Sequence, residues 1–179
     1  MFHKVYVNNP WVIYFLLGLL ISLGHAPIAA WPVSILGLAV FFALRAKVDK
    51  PLKLCFKDGW CLGFGYFLGT LNWIIEPFLI DIVAHGWMAP FAVIFMSAGL
   101  ALFWGMGLAF GSILGGKLGF VIGLGIFEFA RGFLFTGFPW GLLAYIWVDT
   151  PIAQLAGYVG AYGLTVLTFG ASAILAHIF

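Results

Sequence analysis

A glutamate and an arginine lie three residues apart inside one of the long apolar runs of this 179-residue chain. On a helix, Glu128 and Arg131 share a face and can form an ion pair. If that helix begins near Leu118, Glu128 lies about 15 Å along it, and a charge so deep in an apolar run indicates a functional site by default. Two interpretations stay open: an internal pair that fixes helix packing, and a pair whose guanidinium also binds a lipid phosphate.

Turn-forming and aromatic residues follow the pair and also close an earlier apolar run. Thr136-Gly137 and Phe138-Pro139 are signals for a turn or a helix end. Tryptophan concentrates where a membrane meets water, so the 136–141 turn is either an interfacial belt or a re-entrant loop that lines an entrance for lipid chains. The candidate substrate-facing or lipid-facing residues are Asn72, Trp73, Glu76, Glu128, Arg131, Phe138, Pro139 and Trp140.

The remaining reactive side chains predict no catalytic centre. Cys55 and Cys61 are six apart, which fits neither a redox pair nor a zinc pair, so they are expected to be ordinary small apolar residues. His25 stands alone near an aromatic interface and is expected to have a hydrogen-bond partner rather than a catalytic role. No grouping has metal-ligand spacing, and we expect no metal, no cofactor and no catalytic residue in this chain.

Composition sets the class of protein that must hold these residues. The chain is 64% hydrophobic and 8% charged, whereas soluble domains are about a quarter charged, so a soluble or disordered protein is excluded. Five of its basic residues fall between Arg45 and Lys57. The rule that cytoplasmic loops carry Lys and Arg places the 45–58 stretch in the cytoplasm. Nucleic-acid binding is not expected, because no aromatic residues interleave a basic groove.

The apolar runs predict an all-α fold: a polytopic transmembrane bundle of about six helices in a single membrane domain over 1–179, with a cytoplasmic N-terminus. A cleaved signal peptide at the first run is less consistent with the basic loop than a helical hairpin around 24–27. Glycines four apart, such as Gly59/Gly63 and Gly119/Gly123, predict close helix contacts. The expected spans are about 11–23, 28–44, 59–75, 87–110, 118–135 and 157–179.

One stretch is specific enough to suggest a family. From Glu128 to Trp140 the pattern E-x-x-R-G-x-x-x-T-G-F-P-W resembles the membrane region of apolipoprotein N-acyltransferase. Three other pieces agree in order and lie at 24–32, 71–73 and 157–163. The resemblance covers nearly the whole chain.

The resemblance implies a lipoprotein-maturation enzyme of the bacterial inner membrane, with several membrane spans. Such enzymes take an acyl chain from a phospholipid resembling phosphatidylethanolamine and transfer it, through a cysteine thioester, to the amine of a diacylglyceryl-cysteine on an apolipoprotein. Their Glu-Lys-Cys triad belongs to a nitrilase-like domain that follows the membrane helices. No residue here matches it, so we expect the chain to be the front part of a longer polypeptide and inactive alone. A freestanding transporter or channel, or an inactive membrane scaffold, stays open as an alternative.

Overall fold

The computed structural model describes residues 10–46 and 51–178, and these residues form an all-helical fold without a β-strand. The all-α prediction is therefore confirmed for this part of the chain. Short 3-10 segments cover Asn72–Ile75, Gly86–Met88, Leu143–Trp147 and Pro151–Leu155. The α-helices are α1 Pro10–Ser22, α2 Trp31–Ala46, α3 Leu52–Thr70, α4 Glu76–Leu79, α5 Ile82–His85, α6 Ala89–Leu114, α7 Gly116–Arg131 and α8 Ala156–Leu175.

Two helical runs among the described residues are long and apolar enough to cross a membrane, Ile82–Leu114 and Pro151–Leu175. Two more helices, Pro10–Ser22 and Trp31–Arg45, are apolar but shorter. α1 and α2 pack against each other across the 23–30 turn, as the hairpin prediction requires. α8 bends where Gly160 adopts a positive φ of 71° inside it.

The third and fifth expected spans have different ends in the structure. α3 begins at Leu52 and ends at Thr70, so it starts earlier and stops sooner than the expected 59–75. Pro77 does not end a helix; it lies in the first turn of α4, where its missing N–H has no intrahelical partner to lose. α7 ends at Arg131 rather than at 135, because the chain turns through 132–137 and Gly137 takes a φ of 74° there.

The described ends of the basic stretch lie in helices, Arg45 in α2 and residues 52–58 in α3, rather than in a loop. Arg45 lies in the last turn of α2, where its Nε is 3.3 Å from Oδ2 of Asp58 on α3, and both side chains are buried. Its Nη2 also donates to the sulfur of Cys55 at 2.7 Å. A buried guanidinium needs a carboxylate nearby, so this cation joins two helices instead of marking a loop. Lys4, Lys47 and Lys50 lie outside the described residues.

Glycines let the helices approach until backbones touch, which confirms the prediction of close contacts. A Cβ built on Gly65 of α3 would lie 2.1 Å from the carbonyl oxygen of Phe15 on α1. One on Gly123 of α7 would lie 2.1 Å from the carbonyl oxygen of Gly107 on α6. Gly115 has a different role: its surroundings are open, and its φ of 81° allows the tight turn between α6 and α7. α3 thus packs between α1 and α6, and α7 packs against α6.

Candidate functional site

Glu128 and Arg131 form the expected ion pair in the interior of the bundle. Nη2 of Arg131 lies 2.7 Å from Oε2 of Glu128, one helical turn back along α7. Each side chain is 1% exposed. Neighbouring helices and the following turn cover both side chains, and their role toward a substrate or lipid stays a prediction.

The second terminal nitrogen of Arg131 holds the turn that follows α7. Nη1 donates to the carbonyl oxygen of Phe138 at 2.5 Å and to that of Trp140 at 2.8 Å. A backbone hydrogen bond joins the same two residues, since the Phe138 N–H donates to the Arg131 carbonyl at 3.0 Å. The guanidinium also lies 5.0 Å from the ring centroid of Phe67 on α3. Arg131 thus fixes the course of the 136–141 turn through its main chain.

A tryptophan from α6 donates a second hydrogen bond to Glu128. The indole N–H of Trp104 donates to Oε1 of Glu128 at 2.5 Å, and Trp104 is fully buried. Its ring stacks on Tyr66 of α3 with centroids 4.7 Å apart. Glu128 therefore accepts hydrogen bonds from two elements, and α3, α6 and α7 meet around one carboxylate.

Tyr66 extends this network to the turn between α1 and α2. Its hydroxyl donates to the carbonyl oxygen of Gly141 at 3.0 Å and lies 2.7 Å from Nε2 of His25. His25 is buried, and burial lowers its pKa from 6.5 to about 4. The imidazole is thus neutral at pH 7 and has a structural partner, as expected from the sequence. Hydrogen bonds thus connect Phe138, Trp140 and Gly141 of the 136–141 turn to α7 and α3.

A cavity of about 290 Å³ lies above this network, at the end of the bundle where α1, α3 and α7 terminate. It is bounded by the 24–29 turn, the end of α3 and the 140–149 segment. The rings of Trp73 and Trp140 meet there with centroids 6.1 Å apart and planes at 70°. The side chains that give the cavity its chemistry are His25, Thr70, Trp73, Trp140, Tyr145 and Asp149.

The other candidates lie around this cavity without lining it. Asn72 and Glu76 are exposed, Asn72 beside Trp73 in a 3-10 segment and Glu76 as the first residue of α4. Phe138 is half-buried against the core, while Pro139 is exposed and its carbonyl accepts from the Tyr145 hydroxyl at 3.3 Å. The structure therefore brings two of the eight candidates together in the cavity and places the ion pair with its turn below it.

Sequence reasoning missed Trp104, Tyr66 and Asp149. Trp104 had one available signal: a tryptophan deep inside an apolar run needs a partner for its N–H. Tyr66 and Asp149 are distant from the ion pair in sequence and reach the site through tertiary packing. Among residues 10–46 and 51–178, no three His, Cys, Asp or Glu side chains are grouped as metal ligands.

Acid should weaken the fold through His25. The native pKa of about 4 lies below the unfolded value of 6.5, so between these pH values only the unfolded chain binds the proton. Stability is complete above pH 6.5 and falls as the pH drops toward 4, by on the order of 3 kcal/mol at most. Unfolding in detergent, followed from pH 7.5 to 4, measures the loss. His25→Gln should flatten that part of the profile, and an equal slope in both proteins contradicts this role.

The fold and the site define an all-helical domain of apolar helices with a buried ion pair beneath a small aromatic cavity. Residues 17–174 match the family model described as Apolipoprotein N-acyltransferase N-terminal domain. The chain belongs to the apolipoprotein N-acyltransferase family, as its sequence motif indicated.

Curated relatives carry the same family name. The chain is 42% identical over 173 residues to the apolipoprotein N-acyltransferase of Caulobacter vibrioides. The aligned region covers 90% of this chain and 32% of the relative. It is 35% identical over 177 residues to that of Rhodopseudomonas palustris, covering 92% and 33%. It is 30% identical over 178 residues to that of Sinorhizobium medicae, covering 90% and 34%. The chain thus spans about a third of the length of the curated relatives that it matches.

Proposed function

We propose that this chain is the membrane portion of a phospholipid-dependent apolipoprotein N-acyltransferase in a bacterial inner membrane. The match of 17–174 to the N-terminal domain of that family carries the proposal. In the complete enzyme, a cysteine thiolate attacks an ester carbonyl of the phospholipid; the C–S bond of a thioester forms, the ester C–O bond breaks, and the lysophospholipid leaves with a proton on its oxygen. The free amine of a diacylglyceryl-cysteine then attacks the thioester, which forms an amide and releases the thiolate.

We further propose that α1, α2, α3, α6, α7 and α8 span the membrane, with the N-terminus in the cytoplasm. The charge distribution supports this orientation. Lys53 and Lys57 lie in the first turns of α3, and Lys117 lies at the start of α7. All three are at the end of the bundle opposite the cavity, and cations favour the cytoplasmic side. The cavity then opens toward the outer face.

In this proposal the chain positions substrates and carries none of the catalytic triad. Glu128 and Arg131 act indirectly, because Arg131 sets the path of the 136–141 turn and Trp140 of that turn lines the cavity. Trp73 and Trp140 then shape the entrance through which a lipid reaches the outer surface. The 179-residue chain alone is expected to be inactive.

Acyl transfer by the native polypeptide that carries this chain tests the function. Its mass in its own membranes comes first, and a polypeptide about three times the length of this chain is expected, as in the curated relatives. The purified polypeptide then receives phosphatidylethanolamine and a diacylglyceryl-cysteine peptide. The expected product is the peptide with one added acyl group on its N-terminal amine, identified by mass spectrometry.

Two results would contradict the proposal. Substrate flux in liposomes without acyl transfer would favour the transporter or channel. Stable co-purification with a partner, with neither flux nor transfer, would favour the scaffold.

A further inference from the structure

The cavity at the end of the bundle has a lining with one formally charged side chain, the carboxylate of Asp149. His25 also lines it but is neutral at pH 7, because burial lowers its pKa to about 4. No lysine or arginine is among the lining residues. Arg131 lies below, where Glu128 neutralises its charge. The cavity therefore attracts a cation and disfavours an anion.

Two tryptophan rings form a corner of this cavity. The planes of Trp73 and Trp140 are inclined at 70°, and their side chains are 48% and 55% exposed, so part of each ring is free to contact a ligand. Aromatic faces attract an ammonium group that lies within about 6 Å of the ring centroid. Tyr145 adds a third ring to the lining. A carboxylate beside aromatic faces is a combination that suits an organic ammonium group.

Hydrogen bonding and size narrow the ligand further. The Thr70 hydroxyl donates its proton to the Tyr66 carbonyl at 2.7 Å, so its oxygen can accept a bond from a ligand. A primary ammonium has three N–H donors, which the Asp149 carboxylate and this hydroxyl can accept. The volume of about 290 Å³ is at the lower limit of ligand pockets, about 300–1,000 Å³. It suits the ammonium end of a headgroup and leaves the phosphate and the acyl chains outside.

We propose that this cavity binds the primary ammonium of a phospholipid headgroup, with Asp149 as its counter-ion and Trp73 and Trp140 as its walls. The inference rests on the proposed function in taking that phospholipid to be the acyl donor. The acceptor amine is the other possible source. That amine must lose its proton before it attacks a thioester, whereas a carboxylate stabilises the charged form. The site therefore suits the donor's amine, which does not react.

Donor selectivity of the native polypeptide tests the assignment. Acyl-enzyme formation is measured with phosphatidylethanolamine and phosphatidylglycerol that carry identical acyl chains. In Asp149→Asn, the ratio of kcat/KM for the two lipids is expected to fall about tenfold, mainly through KM for phosphatidylethanolamine. Trp73→Leu should lower the ratio in the same direction. Asp81→Asn is the matched control, because Asp81 caps α5 outside the cavity and asparagine can cap equally well. An unchanged ratio in Asp149→Asn overturns the proposal.

Two further measurements are needed. The first distinguishes the donor's amine from the acceptor's amine as the ligand, and the second tests the cavity proposal separately from the proposed function. If Asp149→Asn slows transfer to the acceptor peptide but leaves acyl-enzyme formation unchanged, the site belongs to the acceptor and the donor assignment is wrong. Native mass spectrometry of the extracted protein counts retained lipids independently of catalysis. Retention of phosphatidylethanolamine over phosphatidylglycerol that Asp149→Asn abolishes, in a protein without transferase activity, supports the cavity and refutes the proposed function. If the protein has transferase activity but it and Asp149→Asn retain the two lipids equally, the proposed function is supported and the cavity proposal is refuted.

Discussion

Replacing Arg131 with alanine is expected to destabilise the bundle by about 3–5 kcal/mol, the usual cost of breaking a buried ion pair by removing one partner. The Glu128 carboxyl would remain in the interior with one donor left, the indole of Trp104. The carbonyls of Phe138 and Trp140 would lose their shared donor at the same time. The 136–141 turn would then lose its fixed course, and under the proposed function lipid use should fall while membrane insertion is retained.

Unfolding in detergent and acyl transfer by the complete polypeptide measure the two effects. Arg131→Lys keeps the charge but replaces a planar fork with a single ammonium, so it should recover part of the stability and less of the turn geometry. Glu128→Gln combined with Arg131→Met removes both charges and should cost less than Arg131→Ala alone. Unchanged transfer in Arg131→Ala would show that the turn plays no part in lipid use.

Adding one methyl group to Gly111 should push α6 and α7 apart. Its Cβ would lie 2.5 Å from the carbonyl oxygen of Gly119, which is backbone and unable to rotate away. Overpacking of this kind typically costs about 1–3 kcal/mol. Gly111→Ala is therefore expected to lower the unfolding midpoint, even though alanine is the better helix former.

Gly99→Ala is the control, because Gly99 lies on the same helix with open space where its Cβ would point. There the change should be neutral or stabilise the helix by up to about 1 kcal/mol. Equal effects at Gly99 and Gly111 would mean that α6 and α7 do not touch as closely as the structure has them. Crosslinking between cysteines placed on α6 and α7 gives an independent reading of their separation.

The sequence predicted those parts of the site that depend on local spacing. Glu128 and Arg131 pair because they are three apart on one helix, and that relation needs no knowledge of the fold. The donor from Trp104 and the acceptor at Gly141 come from other elements, so no local pattern points to them. Even the motif from Glu128 to Trp140 gave the right turn without showing that Arg131 binds main-chain oxygens inside it.

Helix ends were harder to predict, since hydropathy does not report on tertiary partners. The charges from Arg45 to Lys57 predict one cytoplasmic loop. In the structure, however, Arg45 is buried in the bundle, where it pairs with the carboxylate of Asp58 on α3. Pro77 is ambiguous in the sequence because a proline is typical both just after a helix and in the first turn of the next one, and the structure has it in the first turn of α4. Glycine spacing predicted contacts correctly, yet Gly115 shares that spacing and serves a turn instead.

The hydrogen bonds from Arg131 to Phe138 and Trp140 end on oxygens that every amino acid possesses. Substitution at either position leaves the acceptor in place. The side chains of the turn can therefore change without changing the path of its backbone. Mutations can accumulate on the surface of the turn while one arginine preserves its backbone. The side chains of the turn can therefore differ between related chains without a compensating change in the helices below.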